Sequence, residues 1–315
     1  MENKKILGFL SLVLISPISL AMQPMDDQAL SKATGQDGIN IGVQVNNVQV
    51  SQVAIIDNDG LASGTNYKNK SSLIMAGTTD SPVTVSVLGA TTSPVINASI
   101  DTDGNSGKPL ANLNITLGKD VSGVKISPFA LYLADASTSP TATNQGSIFS
   151  GGVLKSSVKK ILTVGSATNN FEIAFHNTNK PSVNVQLGNV PQGYMMMFSG
   201  AIQSVCGTGT GCPINIVSDT TGASFDFQAK ATDTTNGFRL NGFHAGVESG
   251  GLVFGNFSST PTASDKMNVS LTNMTLGTVG QANTSVFNGM QNGSMGTFGA
   301  IGASVTNLKM TVKGF

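Results

Sequence analysis

Most of the chain alternates hydrophobic and polar residues with a period of two, the pattern of a β-strand that buries one face. The alternation begins at Ile39, Ile41 and Val43 and returns in many later runs. Those runs cover residues 83–87, 113–117, 171–175, 183–187, 214–216, 225–229, 267–271 and 308–312. Clusters of Gly, Asn and Asp, which favour turns, separate them. The pattern predicts an all-β fold, predominantly antiparallel, as a β-sandwich or a β-roll.

Two segments depart from this period. In residues 25–34 the apolar positions follow a helical spacing, Asp26 or Asp27 can cap the first turn, and Gly35 suits the C-terminal cap. In residues 154–162 four apolar side chains lie at helical spacing opposite three lysines. We therefore predict a short N-terminal helix and a second helix that interrupts the sheets.

The N-terminus has the features of a Sec-type signal peptide. Lys4 and Lys5 precede an apolar run over 6–15, and a small-x-small cleavage site ends at Ala21. The apolar run is shorter than the roughly 20 residues that span a bilayer, and no later run is long enough either. The sequence predicts export to the periplasm, the cell surface or the medium, with no integral membrane segment in the mature chain. The predicted organisation is a signal peptide (1–21), a helix and junction (22–38) and a β-rich body (39–315), with 136–152 as a loop or a linker.

Composition narrows the class of function. The formal charge is +0, from 17 basic and 17 acidic residues, so the chain lacks the basic surface that nucleic acids require. Arg239 is the single arginine. The two histidines, His176 and His244, each follow a phenylalanine and are typical of structural positions. No motif of a hydrolase, zinc protease or nucleotide-binding loop occurs. We therefore predict that the protein is not an enzyme and has no cofactor.

Cys206 and Cys212 enclose a spacer of three glycines and two threonines. Such a spacer can fold back and bring the thiols within bonding distance, and an exported protein enters an oxidising compartment. We predict one local disulfide.

Two Asp-x-Asp-Gly loops are the best candidates for metal ligands. Asp57 and Asp59 form one pair, and Asp101 and Asp103 form the other. Their oxygens suit Ca²⁺, although both pairs also read as turns. Neither loop has the glutamate that an EF-hand requires at its twelfth position. These four residues are weak calcium candidates.

Glycines recur at every third position near the C-terminus. They are Gly293, Gly296, Gly299 and Gly302. This spacing indicates either a tight or flexible connection or a packing surface for a partner.

The residues after the predicted cleavage site resemble those of a known family. The segments that carry the likeness are Met25-Asp26-Asp27, Leu30-Ser31 and Thr34-Gly35-Gln36-Asp37-Gly38-Ile39. This block resembles the start of secreted gammaproteobacterial proteins assigned to the pilus-system protein FilA family. The resemblance implies a role in the cell envelope or a surface appendage, with pilus-system or envelope proteins as partners. It implies no catalytic residues.

The sequence thus favours a secreted, non-enzymatic structural or interaction protein of the cell surface, such as a fimbrial or adhesive component. An outer-membrane β-barrel and a periplasmic ligand-binding protein are the alternatives. A barrel places apolar residues in phase with its C-terminal aromatic residue, whereas Lys313, Thr311 and Lys309 are in phase with Phe315.

Overall fold

The alternating pattern forms strands along the whole of the chain that the structure describes. The computed structural model describes residues 38–57, 60, 71–78, 81–89, 94–135, 159–218, 221–258, 260–278, 281 and 292–314. These residues are nearly all β, with short 3₁₀ turns at Asn105–Gly107 and Ala263–Asp265. The predicted signal peptide, the predicted N-terminal helix and the predicted loop or linker 136–152 lie outside the described residues. The predicted all-β fold is confirmed.

Twenty-two strands are found in the described residues. In chain order they are β1 Ile39–Val43, β2 Asn47–Val50, β3 Gln52–Asp57, β4 Ser71–Gly77, β5 Val83–Leu88, β6 Ile96–Asp103, β7 Leu110–Leu117, β8 Gly123–Ile126, β9 Phe129–Asp135, β10 Lys159–Val164, β11 Phe171–Phe175, β12 Ser182–Gly188, β13 Met196–Ser199, β14 Ala201–Val205, β15 Cys212–Ser218, β16 Thr221–Ala231, β17 Phe238–Arg239, β18 Phe243–Glu248, β19 Gly251–Asn256, β20 Met267–Leu276, β21 Ser294–Ala303 and β22 Lys309–Val312. Backbone contacts place the sheets in a unit that begins at Asn40.

The strands form two antiparallel sheets in a sandwich-like arrangement. The first sheet has the order β1-β6-β7-β12-β13-β18-β19-β22. The second sheet contains the other fourteen strands. Its main path is β2-β5-β8-β11-β14-β16-β15-β10-β9-β4-β3, while β17 pairs with β14, and β20 and β21 extend the sheet from β16.

The chain builds both sheets together, in eight successive passes that we call rungs. Odd rungs cross the first sheet before the second, and even rungs cross the second sheet before the first, so that neighbouring rungs run in opposite directions. The rungs are β1–β3, β4–β6, β7–β9, β10–β12, β13–β15, β16–β18, β19–β20 and β21–β22. Rung 1 and rung 8 therefore form the two ends of the stack of rungs.

Cross-strand pairs line up apolar residues on one face of each sheet, as the period of two requires. In the first sheet one row is Leu113, Val185, Met196, Ala245, Phe254 and Met310. In the second sheet a row is Val53, Met75, Leu131, Leu162, Ile216, Ala223 and Leu276. On the opposite face of β4 and β9, Ile74 and Tyr132 belong to a buried apolar cluster.

The structure corrects the helix predicted over 154–162. Residues 159–164 form β10, which pairs with β9 on one side and β15 on the other. Residues 154–158 lie outside the described part. The helical spacing is overridden because β10 pairs with a strand on each side. No helix of the described chain is long and apolar enough to cross a membrane.

The glycine-rich segment near the C-terminus is a strand, β21, and not a connection. Its pairing with β20 shifts register three times. Gly296, Gly302 and Asn273 have positive φ at or beside these shifts, as residues in β-bulges often do. The glycines thus allow extra residues in the ladder, which hides the period of two in the sequence.

Candidate interaction surfaces

The three described calcium candidates, Asp57, Asp101 and Asp103, lie on two different sheets. Asp57 ends β3, and its Oδ1 accepts a hydrogen bond from the N–H of Gly60 at 3.0 Å. Asp101 and Asp103 lie on β6, and Asp101 Oδ1 accepts the N–H of Thr102 at 2.7 Å. Asp59 lies outside the described residues. Within the part that is described, no three His, Cys, Asp or Glu side chains are grouped to hold a metal, and calcium binding stays a prediction.

The cysteine pair is at bonding distance, as predicted. Cys206 follows β14 and Cys212 begins β15, with their Cα atoms 5.4 Å apart. Both side chains are buried, whereas the residues at the tip of the loop between them are exposed. The bond therefore closes an exposed loop whose base is anchored inside the fold.

Both histidines have structural contacts. His176 Nε2 lies 2.8 Å from the carbonyl oxygen of Thr235, and its Nδ1 accepts the N–H of Asn179 at 3.1 Å. His244 is buried and stacks on the rings of Tyr194 and Phe257, with centroids 3.8 and 4.3 Å away. The contacts of His176 thus join rungs 4 and 6, and those of His244 join rung 6 to Phe257 of rung 7 and to Tyr194 in the hairpin between β12 and β13.

A cluster of amide side chains anchors the hairpin between β12 and β13. Asn184 Nδ2 donates to Asn112 Oδ1 and to Gln192 Oε1, both at 2.9 Å. Gln192 Nε2 donates to the carbonyl oxygen of Tyr194 at 2.7 Å. The composition alone could not reveal this cluster, because only the pairing of β7 with β12 brings Asn112 and Asn184 together.

The single arginine, Arg239, forms an ion pair with Asp265. Arg239 on β17 donates to Asp265 through Nε at 3.2 Å and Nη2 at 2.8 Å. Burial acts to raise the pKa of Asp265, but the hydrogen bonds from Arg239 and Thr262 outweigh it, and the pKa is lowered. This contact ties rung 6 to the 3₁₀ turn in rung 7.

A second carboxylate in the same region is also engaged by hydrogen bonds. Asp233 accepts the hydroxyl of Ser264 at 2.6 Å and the amide of Asn236 at 2.8 Å. These contacts, with that of Ser264 the largest, lower the pKa of Asp233 well below its usual range. The charged groups at this corner therefore stabilise the junction of rungs 6 and 7.

Exposed apolar side chains concentrate at the two ends of the stack. Of the 21 large hydrophobic residues exposed in the described chain, six lie in rung 1 and seven lie in rung 8 or the loop before β22. They are Ile39, Ile41, Val43, Val48, Val53 and Ile55 at one end, and Met295, Phe298, Ile301, Val305, Leu308, Met310 and Val312 at the other. Within the described residues, no further rung extends the sheets at these two ends.

The end strands also have one unpaired side. Among the described strands, β1 pairs with β6 alone, β3 with β4 alone and β22 with β19 alone. Unpaired strand edges offer N–H and C=O groups to another chain. The two ends of the stack, rung 1 and rung 8, are therefore the candidate interaction surfaces.

The comparisons with known proteins give little more. A model of a family of unknown function, DUF6160, matches residues 1–123, which include rungs 1 and 2. No curated protein and no solved structure matches the chain. Nothing in the family match links the chain to FilA or to pilus systems.

Proposed function

We propose that this chain is an exported, non-enzymatic protein of the cell surface or a pilus system that binds partner proteins through the ends of its stack. The observation that carries this proposal is the concentration of exposed apolar residues on rungs 1 and 8. Ile55 is 70% exposed and Ile301 is 90% exposed, and a concentration of exposed apolar side chains is typical of protein interaction sites.

The backbone of rung 1 supports the same proposal. Residues 39–57 contain one charged residue, Asp57, and no proline or lysine. Natural proteins usually protect an edge strand with lysine, proline or a bulge. Because β1 and β3 contain no lysine and no proline, they are suited to pairing with a strand of a partner.

The polar side chains support a structural role more than a chemical one. Arg239, Asp265 and Asp233 hold the corner between rungs 6 and 7, and Gln192 holds a hairpin. Their hydrogen-bonding groups are used within the fold. Binding through backbone edges and apolar side chains remains the interaction that the described surface supports best.

Cell fractionation with protease shaving of intact cells tests this proposal. We expect the chain in the envelope or extracellular fraction and its loss from intact cells after protease treatment. A periplasmic protein and a cytoplasmic protein serve as controls that protease must leave intact. A chain that is protected with the periplasmic control would overturn surface exposure, and a chain retained with the cytoplasmic control would overturn export.

A further inference from the structure

We infer that the partner at the ends of the stack is a second copy of this chain, with rung 8 of one copy pairing onto rung 1 of the next. This inference rests on the proposed function and names its partner. The direction of the rungs is the observation that supports this inference. Rung 8 runs from the second sheet to the first, and rung 1 runs from the first sheet to the second. Rung 1 of another copy therefore continues the antiparallel alternation that orders all eight rungs.

The same contact continues both sheets at once. β22 is the last strand of the first sheet and β1 is its first strand. In the second sheet β21 forms one end, and β2 and β3 together form the other. Stacking end to end therefore places β22 beside β1, and β21 beside β2 and β3, of the next copy. Stacking also brings the exposed apolar residues of the two ends together, as neighbouring inner rungs do with their own apolar side chains.

A contact between two identical ends is less favourable. Two copies of rung 8 would pair β22 with itself, which joins one sheet only, or β22 with β21, strands of 4 and 10 residues. An antiparallel β22 pair centred on Thr311 would also set Lys309 of one copy opposite Lys313 of the other, and like charges directly opposite are destabilising. Rung 1 contains no basic residue, and its charged residue is Asp57.

The geometry identifies the backbone groups that would form the contact. The carbonyl oxygen of Val43 accepts the N–H of Val95 at 2.8 Å, so Val43 faces β6. In an antiparallel ladder the N–H and C=O of successive residues point to opposite sides, so the backbone of Asn40 points outward. The carbonyl oxygen of Leu308 accepts the N–H of Asn256 at 3.0 Å, which by the same alternation points the backbone of Thr311 outward.

Two proline variants test the inference on the full exported chain. Asn40→Pro removes an outward N–H from rung 1, and Thr311→Pro removes one from rung 8, without removing a donor to β6 or β19. Asn40→Ala and Thr311→Ala are the matched controls, because they keep the N–H. Far-UV circular dichroism checks that each variant keeps the β fold. Light scattering coupled to size-exclusion chromatography measures the oligomers over a wide range of protein concentration.

End-to-end stacking predicts open-ended oligomers for the unchanged chain and for both alanine variants, because a head-to-tail contact does not close. Each proline variant alone should associate at least about tenfold more weakly, since a lost hydrogen bond and a steric block act together. An equimolar mixture of the two proline variants should form a dimer and nothing larger, because each retains one intact end.

Either of two results would overturn the inference. A proline variant that forms a stable dimer alone would show that two identical ends bind each other. An unchanged chain that stays monomeric at every concentration would exclude a second copy as the partner. Neither result bears on protease shaving, so the proposed surface location stands or fails separately.

Discussion

Gly255 lies opposite His244 in the ladder between β18 and β19, and its missing side chain leaves the space that the imidazole ring occupies. A Cβ atom at position 255 would be 2.3 Å from His244 Nε2 and 2.7 Å from the carbonyl oxygen of Leu308. His244 in turn stacks on both Tyr194 and Phe257, whose rings also contact each other. One glycine thus makes room for the buried ring of His244 within an aromatic cluster that Tyr194 and the more exposed Phe257 complete.

Replacing Gly255 by alanine should therefore destabilise the fold. We expect Gly255→Ala to lower the free energy of unfolding by about 2 kcal/mol or more, because a buried ring and a backbone carbonyl must both shift. Urea denaturation measures the effect. Gly246→Ala is the matched control, since its nearest neighbour would be an ordinary 3.5 Å away. Equal destabilisation by both variants would contradict this account of Gly255.

The contact between Arg239 and Asp265 predicts a second effect on stability. Arg239→Lys keeps the charge but loses the planar pair of donors, so the free energy of unfolding should fall by about 1 kcal/mol. Lys309→Ala removes the more exposed ion pair with Glu248 and should change the free energy of unfolding by about 0.5 kcal/mol or less. Thermal or urea unfolding compares the two. A larger loss of unfolding free energy from Lys309→Ala than from Arg239→Lys would contradict this prediction.

The pKa of Asp265 gives a prediction about acid. The pKa of Asp265 in the folded chain lies below the usual 3.8. The ionised carboxylate therefore contributes its full stabilisation at pH values above the pKa that it has in the unfolded chain. That contribution is lost as the pH falls through the folded pKa. Asp265→Asn should therefore have a lower free energy of unfolding than the unchanged chain at pH 7. When the pH is lowered below 4, its free energy of unfolding should fall less than that of the unchanged chain. Parallel pH dependences for the two proteins would contradict this role of Asp265.

The disulfide should contribute modestly to stability. The loop that it closes is short, and the loop-closure model gives about 2 kcal/mol for such a ring. We expect the double variant Cys206→Ala, Cys212→Ala to fold and to unfold at a lower urea concentration than the unchanged chain. Mass spectrometry without reduction should find the two cysteines joined within one chain. Two free thiols in exported material would show that the bond is not formed.

Alternation along the sequence predicted the strands well because each strand keeps one apolar face. The run at Val183 and Val185 is β12, and the run at Phe225 and Phe227 is β16. The same rule missed β21, because its bulges interrupt the period of two. It also could not distinguish β10 from a helix, since the deciding contacts come from β9 and β15.

The candidate surfaces could not be predicted from the sequence. Ile55 and Ile74 have the same residue type and lie in neighbouring strands, yet one is 70% exposed and the other 1%. What separates them is the face of the sheet and the position of the rung in the stack, which depend on strand pairing over long separations. Only the fold therefore shows that rungs 1 and 8 are ends.

The segment 25–38 gives a prediction about the role of the predicted junction. Because the unit that carries the sheets begins at Asn40, deleting residues 25–38 with the signal peptide kept should leave the β body folded. If the segment serves export or assembly, the deletion should abolish surface display. Retained display would mean that the segment is a connector, and an unfolded body would contradict both roles.

The central claim is that partners contact the ends of the stack, and site-specific photo-crosslinking in intact cells tests it most directly. A photoreactive residue replaces Ile55 in rung 1 or Ile301 in rung 8, and the matched control replaces Val247 in rung 6, which is 68% exposed. The account predicts crosslinked products from Ile55 and Ile301 and none from Val247. Crosslinks from Val247 that equal those from the ends, or none from either end, would contradict it.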